Sequence, residues 1–307
     1  MTKILVVGVG AIGGLYAAKL AQGGAEVSVV CRSDYEEVKQ GGIAIKSYWG
    51  DFNFKPAQVL RDVKDFKGEA DFIIIATKAL PEISLPKLIA PAVRKNTTIA
   101  IIQNGIFIEK DLAKAFPSNQ LLSVIAFVGV RKEKPAFVEH DAEGRLTIGE
   151  YQNPDAPKTK ILFDILISAG VPCVLSADIQ LDRWKKLLWN ASFNPISVAA
   201  GGLDTKEILD DEKLHEKVKN VMREVAILAK AQGYEISEEL MDQTIDVTYK
   251  RKVPAITSML LDFRSKRKME IEAILGNALN FAKEKSLHLP LMENLYQKIV
   301  GLNNEQN

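Results

Sequence analysis

The sequence predicts an α/β protein in which a doubly wound, mostly parallel sheet is followed by a second, all-helical C-terminal domain. Three observations carry this. Short apolar strand patterns alternate with helical patterns as far as about residue 176. The first strand pattern runs straight into glycines at positions 8, 10 and 13. Beyond Ser176 the strand patterns cease, and apolar residues recur only at helical spacing. The expected domains are therefore 1–176 and 177–307.

Residues 4–7, Ile-Leu-Val-Val, make a short buried strand. Gly8-Val9-Gly10-Ala11-Ile12-Gly13 follows in the spacing G-x-G-x-x-G, between that strand and a helix reaching Gln22. Gly8 makes the tight turn, Gly10 lets the backbone approach a pyrophosphate, and Gly13 lets helix and strand pack closely. The pyrophosphate would rest on the unpaired N–H groups where the helix starts, near Ala11. This is the dinucleotide fingerprint of a Rossmann-type sheet, and positions 8–13 are its candidate cofactor contacts. Gly23-Gly24 stops the helix, and a second strand follows over 26–32.

The end of that strand indicates which dinucleotide. An NAD site carries an acid there for the ribose 2′-hydroxyl, but this chain has Arg32 followed by Ser33. A guanidinium matches a 2′-phosphate by charge and by its forked donors. The expected cofactor is NADP(H). The ordinary alternative for Arg32 is a surface arginine. Asp34, the nearest acid, lies past the strand and is a poor substitute.

Strands near the sheet edge are expected over 43–47 and 52–54, and a strongly buried one over 71–78, ending in Thr77-Lys78. A helix over 85–93 precedes a strand over 97–102 that ends in Gln103-Asn104-Gly105, and a helix over 106–116 comes next. Ligands of such sheets bind beyond the carboxyl ends of the strands, so one crevice could hold Lys78, Asn104 and the glycine turn. Further strands are expected over 121–130, 136–139, 145–149 and 171–175, broken at 132–135 and 141–144, with a helix over 157–169. In the helical half, 178–200 is interrupted by Pro195 and ended by Gly201-Gly202. Helices follow over 210–232, with Leu214, Val218, Val221, Val225 and Leu228 at helical spacing, and over 237–250, 269–285 and 290–302. The polar tail 303–307 is expected to fray.

Composition narrows the function classes. The 307 residues are 47% hydrophobic and 26% charged, with a formal net charge of +1, which gives no electrostatic case for nucleic acid or a membrane surface. No apolar run approaches the ~18 residues that span a bilayer. Two cysteines, Cys31 and Cys173, form no disulfide framework, and with three histidines they show no metal-ligand spacing, so no metal is expected. No basic-then-apolar leader precedes the first strand, and the expected location is the cytoplasm.

The chemistry-bearing stretch of the helical half is Arg183-Trp184-Lys185-Lys186-Leu187-Leu188-Trp189-Asn190-Ala191-Ser192-Phe193-Asn194-Pro195. Lys186, Asn190 and Asn194 stand at i, i+4 and i+8 and so share one helix face. Large apolar neighbours make such a stripe costly unless it meets partners or a ligand. From spacing alone, a solvated lysine and two asparagines satisfied by backbone remain the favoured reading. Ser258 and Glu270, taken singly, read as a helix-capping serine and a surface glutamate. The basic cluster 264–268 reads as a solvated face.

Taken together, these residues resemble the ketopantoate reductase family over essentially the whole chain. The resemblance is carried by Gly8-Val9-Gly10-Ala11-Ile12-Gly13 with Arg32, Thr77-Lys78, and Gln103-Asn104-Gly105. It continues in Lys186-Leu187-Leu188-x-Asn190-x-x-x-Asn194-Pro195 and in Ser258-Met259-Leu260-x-Asp262 followed by Glu270-Ile271-Glu272. It implies NADPH-dependent reduction of 2-dehydropantoate to (R)-pantoate in pantothenate and coenzyme A biosynthesis. By the same resemblance Lys186 is the catalytic lysine and Glu270 its supporting glutamate. Asn104, Asn190, Asn194 and Ser258 hold the substrate, and Lys78, Asn104 and Glu270 join the cofactor-binding set. The expected partner is a small 2-keto acid bound between the domains, and a homodimer is compatible with the family. One departure stands out. Some members carry a further asparagine where this chain has Asp204, so either that carboxylate points away from an anionic substrate or the preferred substrate differs. The 121–131 segment fits the family only loosely.

Three other readings compete. They are a reductase of another 2-keto acid or of a related β-hydroxy acid on the same fold, an NADPH-binding sensor without turnover, and a methyltransferase using a similar glycine turn. The last expects an acid where Arg32 stands.

Overall fold

The computed structural model describes residues 1–306, and the chain divides into two compact units. Unit 1 comprises Met1–Lys78, Ile83–Gln103 and Glu109–Ile179. Unit 2 begins its main span at Gln180 and also takes Ala79–Glu82 and Asn104–Ile108. The division is therefore not a single cut near 176. Two short segments that follow strands of unit 1 belong by their contacts to the helical unit.

Unit 1 is built from β1 (Lys3–Val7), α1 (Ala11–Gln22), β2 (Glu26–Val30), α2 (Tyr35–Gly41), β3 (Ile43–Ser47), β4 (Phe52–Phe54) and β5 (Val59–Leu60). The chain continues through β6 (Phe72–Ile75), α3 (Leu85–Ile89), β7 (Thr98–Ile101), α4 (Lys110–Ala115), β8 (Leu121–Lys134), β9 (Phe137–Gln152), α5 (Ala156–Ser168) and β10 (Cys173–Leu175). One sheet runs in the order β4-β3-β9-β8-β7-β6-β1-β2-β5, with β10 added beside β9. From β8 to β5 every neighbour is parallel, whereas β8–β9 and β3–β4 are antiparallel. β6 and β7 are buried along their whole length, and in β1 only Lys3 is exposed, which is why these segments read as apolar runs. Each fully buried Leu or Ile here contributes about 1.5–3 kcal/mol.

Several expectations are corrected. The helix expected over 106–116 is reduced to α4. Ile106 instead joins the apolar core of unit 2, and Phe107 takes φ +61°, so tertiary burial overrides helical spacing. The break expected at 141–144 is absent: β9 passes through it, with Glu143 and Gly144 at positive φ and a slipped register against β8. The break at 132–135 shrinks to a turn at Pro135 and Ala136. α2 and β5 are short elements with too little periodicity to be foreseen.

Unit 2 contains α6 (Ile179–Ala199), α7 (Thr205–Asp210), α8 (Glu212–Ala231), α9 (Glu238–Tyr249), α10 (Ser258–Arg264), α11 (Asn277–Glu284) and α12 (Pro290–Gln306). α6 does not break at Pro195. The proline deletes one backbone bond, but Phe193, Ile196 and Val198 on either side are buried in the core and hold the helix. The single helix expected over 210–232 is preceded by α7, with Asp211 capping α8 through its side chain on Leu214 N–H. The helix expected over 269–285 contains a π-turn, Glu272–Gly276. α12 runs on through the expected frayed tail as far as Gln306, and Asn307 lies outside the described residues. No helix among the described residues is long and apolar enough to cross a membrane.

Asp34 anchors the β8–β9 turn. It is 2% exposed. Its carboxylate accepts Lys132 Nζ at 2.7 and 2.6 Å, Ala136 N–H at 2.9 Å and Ser33 Oγ–H at 2.6 Å. Burial pushes this carboxyl up, but the Lys132, Ser33 and Ala136 donors outweigh it and hold the group below the ordinary aspartate value. A carboxylate whose folded pKa is lowered stabilises the fold fully above its unfolded value of about 3.9, and that contribution is lost as pH falls through the folded value. Asp34→Asn is expected to lower unfolding free energy at pH 7 by about 2–4 kcal/mol. In urea titrations the gap from wild type should close below about pH 4; a gap independent of pH would rule out the charge as its source.

Candidate active site

The glycine turn sits where the strand order reverses, between the carboxyl ends of the parallel neighbours β1 and β6. Gly8 adopts φ +98°, and a Cβ there would lie 2.6 Å from Thr77 N. Thr77 is in turn clamped by Gln103 Nε2, which donates to its carbonyl at 2.8 Å and to its hydroxyl at 3.0 Å. A Cβ on Gly13 would stand 2.0 Å from Gly8 O, so helix and turn touch backbone to backbone. Gly10 forms the N-cap of α1, and a Cβ there would meet nothing within 4 Å. Open space therefore faces a helix start that has no acidic residue in its first turn. Such a cradle fits an anionic pyrophosphate. Val9 is buried, whereas Ala11 and Ile12 are half-buried at the helix start. Arg32 is exposed two residues beyond β2, while Asp34 is engaged by Lys132 and two further donors. Lys78 is half-buried and is the last residue of its segment in unit 1.

In unit 2 the unbroken α6 turns the i, i+4, i+8 spacing into one face. Lys186 is half-buried, Asn190 is 5% exposed and Asn194 fully buried. The other faces of α6 are fixed by Trp184, Leu187, Leu188 and Phe193 in the helical core. Lys186 Nζ donates to Asn104 Oδ1 at 2.7 Å. Asn104 reaches it because its own segment docks in unit 2. Ile106 N–H donates to Ala273 O at 3.0 Å, Arg183 Nη1 to Gly105 O at 3.3 Å, and Phe107 packs edge-on to Trp184. Glu270, half-buried, accepts Ala79 N–H at 2.8 Å through Oε1. Two segments that leave strands of unit 1 are thus held by two of the predicted residues.

Asn194 is unusual. Neither its side-chain Nδ2 nor its side-chain Oδ1 has a hydrogen-bond partner among the described residues. A buried carboxamide in that state costs about 1–3 kcal/mol per group, which a ligand hydroxyl, donor and acceptor at once, would relieve. Beside it, Ser197 Oγ–H donates to Asn194 O at 2.7 Å and lies 2.7 Å from Thr257 Oγ1. Because the Ser197 proton goes to Asn194, Thr257 donates to Ser197. Thr257 Oγ1 also accepts Leu260 N–H at 3.1 Å and so caps α10. The cap is therefore Thr257, not Ser258. Ser258 occupies the first helical position with its residue exposed. Ser197 and Thr257 escape sequence reading, since a hydroxyl pair 60 positions apart leaves no local signal. Asp204 points into a helix end. Its Oδ1 accepts Lys206 and Glu207 N–H at 2.8 and 2.9 Å, and Glu207 returns a bond to Asp204 N–H. The basic cluster 264–268 is exposed, with Arg267 on Asp262 and Lys268 on Glu82.

Residues 4–153 match the family described as Ketopantoate reductase PanE/ApbA, and 178–303 match Ketopantoate reductase PanE/ApbA C terminal. The chain is 32% identical over 302 residues to the 2-dehydropantoate 2-reductase of Nostoc sp., covering 97% of this chain and 94% of that one. The crystal structure of 2-dehydropantoate 2-reductase from Methylococcus capsulatus matches with TM-score 0.92 and 38% identity, covering 99% of this chain and 98% of that one. A D-mandelate dehydrogenase solved with NADH and anilino(oxo)acetate gives TM-score 0.92 over 100% of both chains, but at 20% identity it shares the fold alone.

Thr257→Val should remove both the α10 cap and the donor to Ser197, costing about 1–3 kcal/mol. Thr257→Ser should restore most of this in urea unfolding. A valine variant as stable as wild type would show the hydroxyl pair to be idle.

Proposed function

This chain belongs to the ketopantoate reductase family of oxidoreductases acting on CH–OH groups, and we propose that it reduces 2-dehydropantoate to (R)-pantoate with NADPH in pantothenate and coenzyme A biosynthesis. The observation that carries the reading is the 2.7 Å contact of Lys186 Nζ with Asn104 Oδ1, on a helix face that continues into the buried Asn190 and Asn194. A half-buried amine oriented by a neutral carbonyl is suited to giving a proton to an oxygen that gains charge.

A nicotinamide dinucleotide, when bound, supplies the hydride for the substrate's keto carbon. Gly8, Val9, Gly10, Ala11, Ile12 and Gly13 would hold its pyrophosphate at the start of α1, and Arg32 its 2′-phosphate. Lys78 and Asn104 would line the nicotinamide end. The Lys186 ammonium polarises the ketone and passes a proton to the alkoxide oxygen, giving the alcohol and leaving a neutral amine that regains its proton from water. Asn104 aims the amine. Asn190, Asn194 and Ser258 bind the carboxylate and hydroxyl of the substrate with uncharged donors and acceptors, which fixes the keto carbon for transfer. Glu270, held by Ala79 N–H, provides negative charge that favours the ammonium form. Two relatives named 2-dehydropantoate 2-reductase, at 32% and 38% identity, support this choice of substrate. The runner-up is another 2-keto acid on the same fold, because uncharged asparagines specify a carboxylate and a hydroxyl but not a carbon skeleton.

The deciding experiment follows NADPH absorbance on adding ketopantoate, with NADH and smaller 2-keto acids as controls. A higher kcat/KM for a smaller keto acid would move the assignment to the runner-up. Lys186→Ala should lower kcat by about 10²–10⁴-fold while NADPH affinity, read by fluorescence titration, stays nearly intact. Near-wild-type turnover would remove Lys186 from the chemistry. Arg32→Asp should weaken NADPH far more than NADH; equal weakening would mean Arg32 does not read the 2′-phosphate.

A further inference from the structure

We propose that the π-turn Glu272–Gly276, together with Asn277, is a positioning device that aligns the Lys186 amine through the Asn104 segment, an inference that rests on Lys186 being the proton donor. In a regular α-helix Asn277 N–H would bond to Ala273 O four residues back. Here it bonds to Glu272 O five back, which releases Ala273 O from that partner. The released carbonyl accepts Ile106 N–H at 3.0 Å. Asn277 Nδ2 donates to Ile106 O at 2.9 Å, so both backbone groups of Ile106 are tied to one turn of helix. Gly105 makes the approach feasible: it takes φ +107°, and a Cβ there would lie 2.3 Å from Ala273 O. Asn104, one residue earlier, is thereby brought to Lys186.

The turn is held in its widened form from below. Glu272 folds back along the helix so that a Cβ on Gly276 would lie 1.9 Å from Oε2, and Tyr296 O–H donates to Oε1 at 2.6 Å. Any side chain at 276 must displace this carboxylate. π-turns inside helices gather at functional sites because they redirect backbone groups that a regular helix keeps for itself. This one begins two residues after Glu270, so the irregularity that serves the Asn104 segment lies in the same stretch of chain as the proposed supporting carboxylate.

The test uses Asn277→Ala, which removes one tie on a helix position where alanine is favourable, and Gly276→Ala, which forces Glu272 aside. Two quantities are read in the full-length protein. One is kcat and KM for ketopantoate; the other is the pH midpoint for acetylation of Lys186, followed by peptide mass spectrometry. A carbonyl acceptor stabilises an ammonium, so its misplacement should lower that midpoint by about half to one pH unit. Asn277→Ala should lower kcat about 5–20-fold with KM within about twofold, as expected when orientation rather than binding is lost. Gly276→Ala should act in the same direction and more strongly. Should Gly276→Ala not fold, Asn277→Ala decides alone. An unchanged Lys186 midpoint with unchanged kcat in Asn277→Ala would overturn the proposal, as would a fall in stability alone. The midpoint does not depend on turnover. A shifted midpoint in a protein that reduces no keto acid would uphold the positioning device and sink the reaction instead.

Discussion

A half-buried amine is costly unless oxygen atoms meet it, and Lys186 Nζ donates to one of them on Asn104. Much of unit 2 is arranged around this contact. α6 cannot offer Lys186 without burying Trp184, Leu187 and Leu188 on its other faces, and that burial fixes the direction of the face. Asn104 cannot meet it unless the chain leaves the end of β7 and commits Ile106 and Phe107 to the helical core. The expected helix over 106–116 gives way for this reason. Ile106 alone is worth about 1.5–3 kcal/mol when buried, and the partly buried Phe107 adds to it, more than the few tenths to one kcal/mol that helix propensity could return over the same residues.

What could be read from the sequence divides along the same line between local and distant causes. β1, the glycine turn, α1 and β2 are legible because strand, turn and helix each follow from neighbouring residues, and β6 and β7 because parallel strands buried on both faces are continuously apolar. The i, i+4, i+8 spacing of Lys186, Asn190 and Asn194 is legible too, although spacing alone favoured the ordinary reading and only the family resemblance gave it a role. The missed features have causes far away in the chain. The π-turn meets Tyr296 through the Glu272 carboxylate, α10 is capped by a threonine whose second partner is Ser197, and β9 survives 141–144 because its ladder with β8 absorbs a bulge. For Asp204 the first of the two readings, a carboxylate engaged elsewhere, is the one the structure bears out. Its meaning is local: with Glu207 three residues on, it forms a capping box, and the concern about an anionic substrate does not require a drift in specificity.

At the end of β2 the charges are sorted by burial. Asp34 is buried against Lys132, the Ser33 hydroxyl and the Ala136 amide, while Arg32 remains exposed. An acid so engaged cannot also receive two ribose hydroxyls without giving up donors inside the fold, which would leave Lys132 opposite an uncompensated site. The arginine has no such cost in turning to a 2′-phosphate. Preference between the two dinucleotides would then follow less from which residues are present than from which of them the fold leaves available.

The same reasoning bears on the substrate end of the proposed site. An anionic keto acid could be held by an arginine, at the strength of a forked ion pair. A second cation close to Lys186 would, however, lower the tendency of the amine to stay protonated, and would draw charge toward the carboxylate rather than toward the ketone. Uncharged groups avoid both effects. In the proposed reaction Asn190, Asn194 and Ser258 would orient a carboxylate and a hydroxyl without themselves adding a cation beside Lys186. Electrostatic stabilisation is largest where a preorganised charge faces the atom that gains charge and no rival competes for it. On this view the buried, unpartnered carboxamide of Asn194 is a cost carried by the free protein in exchange for a donor set that recognises an anion without disturbing the acid.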